Sequence, residues 1–237
     1  MALTYDQYVA QISNLLVIGS TDANFITMLP GMIDYAEGRC YRELDLLATR
    51  ITTTTTLSSG NRNATLPSSL GTYRVIENVN VLTTVGQTVA NGYRSPAMSV
   101  SRDFIDNVYP SGQDNTSTPL FWAMNSNTSL VFGPAPDAAY TVEIVGTIQP
   151  TPLSSSNTTT FLTDMLPDVF IAASMVFGSG YMRDFGAGTD NPQMSAAWEG
   201  QYKTLLESAG IETLRQKYQS GGWTHAQPSP IATPPRA

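Results

Sequence analysis

One histidine, one cysteine and a few closely spaced carboxylates are the residues in this chain with the chemistry for catalysis or metal binding. His225 stands near the end of the sequence in a proline-rich stretch. That leaves no Ser/His/Asp arrangement inside the expected fold and no histidine cluster for a metal. Cys40 is alone, so it forms no intrachain disulfide, and its expected role is that of a small buried hydrophobe. Asp103 with Asp106, and Asp164 with Asp168, read as helix-end and loop residues, because paired acids alone are a weak signal for acid–base work. Gly186-Ala187-Gly188 looks like a fragment of a phosphate-binding loop, yet it joins two expected helices and follows no strand, so the context that a dinucleotide requires is missing. The expectation is a protein that is not an enzyme and uses no cofactor or metal.

Composition points the same way. A chain of 237 residues, 41% hydrophobic, is long enough for one large domain or two small ones with a real core. It carries 19 carboxylates against 12 Lys plus Arg, a net charge of −7. Wrapping DNA phosphates demands a basic surface, so that class is excluded; an acidic wall past which DNA slides without sticking is not. Only 13% of residues are charged, and Thr, Ser, Asn and Gly supply much of the polarity. Such a surface suits burial against partner subunits, and it equally suits a soluble β-rich protein with polar loops. No run of eighteen apolar residues occurs, and residues 1–11 lack the basic flank of a signal peptide, so synthesis in the cytosol without membrane insertion is expected.

The elements that must carry this surface begin and end with helices. Tyr5, Tyr8, Val9, Ile12, Leu15 and Leu16 fall at helical spacing, with Gly19 expected to end that helix. Phe25, Met28, Leu29, Met32, Ile33, Ala36, Cys40, Leu44 and Leu47 mark a second helix, which Pro30-Gly31 should kink or restart. Its outer face is expected to bear Asp34, Glu37, Arg39, Arg42, Glu43 and Asp45. Residues 161–218 read as two more helices. The first carries Leu166, Val169, Phe170, Ala173, Val176, Phe177 and Tyr181 on one face. The second runs through Met194, Ala197, Trp198, Gln201, Leu205 and Ala209 toward Leu214 and Tyr218. A glycine-bearing turn at residues 184–189 should make them antiparallel.

Between the helical pairs the period drops to two. Residues 51–57, with five consecutive threonines, and 64–66 lean to strand; 73–84 should pair with 88–93 as a hairpin. A short helical insert at 98–109 precedes strands at 120–124, 129–132 and 140–149. The fold class expected is α+β: a four-helix bundle of the N- and C-terminal helix pairs, with an inserted antiparallel β-sandwich or barrel-like module and an extended tail. The boundaries are 1–50 for the first helices, 51–150 for the β module, 151–218 for the second helices and 219–237 for the tail. Four prolines in the last ten residues favour an extended, polyproline-like strand. Trp223 and Ile231 are its large apolar groups, and they are the expected anchors on a partner or on the chain itself.

The order of several short patterns resembles the head-to-tail adaptors of tailed phages, especially the tail tubular protein A type of short-tailed phages. These are Phe25 with Leu29-Pro30, Ile33, Ala36-Glu37, Arg39 and Arg42-Glu43-Leu44, then Leu66-Pro67. Pro119 with Phe121-Trp122-Ala123, Leu130-Val131-Phe132 with Pro134, Pro152-Leu153 and Leu166-Pro167-Asp168 follow. The resemblance implies a ring of about twelve copies, following the closed symmetry usual in assemblies. It further implies a portal protein above, a nozzle or other tail protein below, and genomic DNA passing through the lumen of a virion neck. It assigns the tail, with Trp223, His225, Pro230, Ile231 and Arg236, to portal contact. The competing expectation is a monomeric β-sandwich braced by helices that binds a glycan through exposed Tyr93, Tyr109 and Trp122.

Overall fold

The computed structural model describes residues 3–83, 90–111, 115–181 and 193–217. The chain is α+β, with six α-helices and a seven-stranded sheet among these residues. It separates into two compact units, one from Met1–Leu47 with Pro152–Ala237 and the other Ala48–Thr151.

In the helical unit, α1 spans Tyr5–Leu16 and α2 Ala23–Glu43. The start of α1 is a capping box: Thr4 Oγ1 accepts from the Gln7 N–H while Gln7 Oε1 accepts from the Thr4 N–H. Its end comes before Gly19. Val17 closes the helix in the left-handed region at φ 57°, and Ile18 N–H returns to Ser13 O at 3.0 Å. Asp22 caps α2 by accepting from the N–H groups of Asn24 and Phe25. Pro30 does not restart the helix, which runs unbroken past it. The cost of one missing N–H is offset because Phe25, Met28, Leu29, Met32, Ile33, Ala36 and Cys40 are all buried along the same face. After Glu43 the helix ends, so Leu46 rather than Leu47 turns into the core.

A short α4, Phe161–Met165, precedes α5, Pro167–Tyr181, and α6 spans Gln193–Lys217. The expected single apolar face of α5 proves too narrow a description. Ala172, Ser174 and Met175 are buried as well as Val169, Phe170 and Ala173, because α1, α2, α4 and α6 all pack on this helix. Tyr8 of α1 stacks on Phe170 at 4.9 Å and donates its hydroxyl hydrogen bond to Ser174 Oγ at 2.9 Å. Gly178 allows a close approach: a Cβ there would meet Leu16 and Met32 side chains at 3.3 Å, and they would have to give by a few tenths of an ångström. The turn expected at 184–189, with Gly186 and Gly188, lies outside the described residues.

In the β unit the strands are β1 Arg50–Leu57, β2 Asn63–Thr65, β3 Gly71–Leu82, β4 Arg94–Ser99, β5 Phe121–Ser126, β6 Ser129–Gly133 and β7 Tyr140–Pro150. A helix, α3 (Arg102–Val108), lies between β4 and β5. The order across the sheet is β1-β7-β3-β4-β5-β6-β2. The first and last strands are consecutive in sequence, and Thr55 Oγ1 of β1 donates to Thr65 O of β2 at 3.0 Å, so the sheet is a nearly closed barrel. Two corrections apply to the expected module. The partner of β3 is residues 94–99, not 88–93, with Val79 opposite Ala97. Second, β4 and β5 pair in parallel, Met98 with Phe121, which the intervening α3 makes possible as a crossover. All other pairs are antiparallel. Val79, Val81, Trp122, Leu130, Phe132, Val142 and Ile144 fill the interior.

Candidate functional site

Among the described residues no group of three or more His, Cys, Asp or Glu is placed to hold a metal. The carboxylates singled out for chemistry are occupied elsewhere or face solvent. Asp106 is held by Arg62 at 2.9 Å and Arg102 at 3.3 Å, whereas Asp103 is exposed in the first turn of α3. Asp164 and Asp168 are exposed on α4 and α5. Cys40 is buried, and burial pushes its thiol up to about 12, far from a reactive thiolate. The five residues expected at the partner contact, Trp223, His225, Pro230, Ile231 and Arg236, lie outside the described residues.

What the described residues do present is a bonded framework and two surfaces. The expected outer charged face of α2 is in large part an internal clamp. Arg39 donates to both Glu199 oxygens of α6 at 2.6 Å and to Glu43 at 3.0 Å, and its guanidinium lies 4.2 Å over the Tyr202 ring. Tyr202, buried, donates to Glu43 at 2.9 Å. Two charge-assisted bonds to one planar fork hold Glu199 below the usual carboxylate range and fix the α2–α6 pairing. Glu37 is no surface residue either. It is 1% exposed, and its Oε1 accepts from the Leu153 N–H at 3.0 Å; burial raises its carboxyl to about 7.

The first surface is a cleft of about 490 Å³ between the end of α2 and the last turns of α6. Ile211 and Leu214, 54% and 55% exposed, form its apolar wall with Leu44 beneath. Glu43, Asp45, Glu207 and Lys217 stand around them. The buried face of α6 is only partly the expected one. Ala209 is buried and Trp198 and Leu205 pack against the core as expected, but Tyr202 and Thr213 are also inside, while Met194, Ala197, Gln201 and Leu214 are exposed. The sequence signal for this was present: Trp198, Tyr202, Leu205, Leu206, Ala209 and Thr213 also keep three-four spacing.

The second surface lies on the β unit, where Phe104 and Val108 of α3 are exposed one turn apart, Phe104 packs edge-on against Phe121, and exposed Met98 stands opposite Phe121 on β4. Trp122, expected among exposed ligand-binding aromatics, is instead 6% exposed in the barrel core; Tyr109 is half-buried beside Phe121, and Tyr93 is exposed. A stacking platform built of all three aromatics is therefore absent. No helix among the described residues is long and apolar enough to cross a membrane.

A sequence model of the family described as SU10 adaptor protein matches residues 3–228. The chain belongs to this family. It is thus a phage adaptor, a structural protein of the virion rather than a member of an enzyme family. The match covers residues of both units of the fold, the helical clamp and the barrel alike. Association with other phage head and tail proteins follows from membership. No curated protein matches this adaptor.

Proposed function

We propose that this adaptor forms a ring between the portal and the tail of a tailed phage, with DNA passing through its lumen. The match to the adaptor family over residues 3–228 carries the reading. In this proposal α1, α2, α5 and α6 act as a four-helix bundle, and residues 51–150 act as an inserted module facing neighbouring subunits and the tail. Residues 219–237 dock on the portal through Trp223, His225, Pro230, Ile231 and Arg236. Twelve copies match the usual number of the portal ring assumed here, and the lower partner is a nozzle of the short-tailed type. The net charge of −7 supports passage of DNA without capture.

Physical logic supports an assembly role as well. The exposed apolar groups of both units suit burial in interfaces, which in obligate assemblies cover on the order of 2,000 Å² or more. Ring subunits need side-to-side and top-to-bottom contacts but no reactive groups. The test is the mass of the native particle by light scattering, with and without a co-expressed portal protein. A closed ring bound to the portal is expected. A particle of 25.6 kDa in both samples would overturn the proposal and turn attention to ligand binding.

A further inference from the structure

We propose that the α2–α6 cleft is the docking site of the adaptor's own C-terminal segment, residues 223–231, folded back in cis on the free subunit. The inference goes beyond the ring reading and concerns the subunit before assembly. Three observations carry it. First, the cleft is open and apolar where the fold has no need of it. Glu207, Gly210, Ile211, Leu214 and Lys217 follow one another at three-four spacing as a single stripe of α6. A Cβ built on Gly210 meets nothing within 4 Å, so the stripe has room above it. The pair of large side chains beside that space, Ile211 and Leu214, are more than half exposed.

Second, the segment leaves from the cleft itself. Lys217 is both a wall residue and the last described residue of α6. Ser220-Gly221-Gly222 lies just beyond it, a composition that permits chain reversal. From Lys217 back to Glu207 the stripe is about 15 Å long at helical rise. The six residues to Trp223 reach up to roughly 20 Å when extended, so the indole can be laid anywhere along it. Third, the chemistry is complementary. Residues 218–237 contain no Asp or Glu but include Arg236 and His225; at the cleft Glu43 is bonded to Arg39 and Tyr202 and Asp45 to Lys217, and Glu207 adds a further negative charge at the far end of the stripe. The apolar anchors Trp223 and Ile231 match Ile211 and Leu214, and proline-rich chain loses little conformational entropy on docking.

Tethering supplies the rest. At an effective concentration on the order of 1 mM, a contact of ~0.1 mM intrinsic affinity would be closed in roughly nine molecules of ten.

The experiment uses the full-length chain alone. Subtracting the emission of Trp223→Phe from that of the parent isolates Trp223 from Trp122 and Trp198, and acrylamide quenching then reads its exposure. Trp223 should be quenched several-fold less in the parent than in Leu214→Lys or Gly210→Leu, each paired with its own Trp223→Phe control, with no dependence on protein concentration. Both substitutions are at open positions, and circular dichroism checks that each variant folds. Equal quenching in parent and variants would overturn the proposal. Protection that appears only with rising concentration and doubled mass would overturn it too, by assigning the contact to a second copy. Because no portal is present, failure here leaves the ring reading untouched.

Discussion

Replacing Glu37 by glutamine should make the adaptor more stable at neutral pH and should flatten its dependence on pH. The folded carboxyl sits at about 7 against an ordinary value of 4.5, chiefly through burial, partly offset by the Leu153 N–H and increased by nearby Asp34. A raised carboxyl means that folding favours the protonated form. Its favourable contribution is complete below about 4.5 and is lost as pH rises through about 7. At 1.36 kcal/mol per pK unit, ionisation at this site costs under about 1 kcal/mol at pH 5 and about 3 kcal/mol at pH 8. Glutamine keeps an oxygen to accept from Leu153 and cannot ionise. Urea unfolding of parent and variant at pH 5 and pH 8 gives the needed double difference, in which all other titrations cancel. The stability gain of the variant should grow by about 2 kcal/mol between the two values. A gain that is the same at both, or that shrinks toward pH 8, would refute the reasoning, since either result means that Glu37 is not held protonated by its surroundings.

Four further outcomes follow from the same structure. Arg39→Met removes the bidentate bond to Glu199 and the contact over Tyr202; chemical denaturation should show a loss of about 2 kcal/mol, because a half-buried carboxylate is left without its partner. Gly146→Ala places a Cβ 2.3 Å from Val75 O, which is backbone of the neighbouring strand, so a loss of 1–3 kcal/mol, roughly, is expected in the same assay. Val17→Gly should raise thermal stability by about 1 kcal/mol, since Val17 is 90% exposed and held at φ 57° where a β-branched side chain is strained. Deleting residues 223–237 should leave circular dichroism unchanged and lower the melting temperature by at most a few degrees, through loss of the cis contact, while abolishing capture by an immobilised portal; retained capture would place that contact elsewhere.

Alternation made most of the barrel legible: Val142, Ile144 and Ile148 of β7 are buried as their period predicts. β4 was misplaced because Arg94, Ser95 and Pro96 carry no strand signature of their own, and it is pairing with β3 that makes them a strand. The parallel step to β5 is a property of topology, invisible to local pattern. In the helices, spacing located every long element but not always its buried side. Ile33, Glu37 and Cys40 share the inward face of α2, yet a carboxylate there reads as solvent-facing until its backbone partner, 116 residues away at Leu153, is known. Likewise α6 has two overlapping apolar stripes, and only the position of Arg39 and Tyr202 decides which one meets α2. Tail composition points to Trp223 and Ile231 as anchors, and the resemblance alone assigns the tail to the portal, which the capture experiment tests.

The helical unit is built from the two ends of the chain, with residues 48–151 emerging from the ribosome between them. During synthesis α1 and α2 therefore appear first, with Tyr8, Phe25, Met32 and Ile33 lacking the α5 and α6 surfaces that will cover them. At 5–20 residues per second the wait from Leu47 to Lys217 is roughly 10–30 s, long compared with collapse of a small barrel. The barrel has all its strands in one continuous stretch and can close during that interval. Birth order and folding order then diverge: the segment made first is completed last, and its apolar face stays uncovered until α5 and α6 have been made.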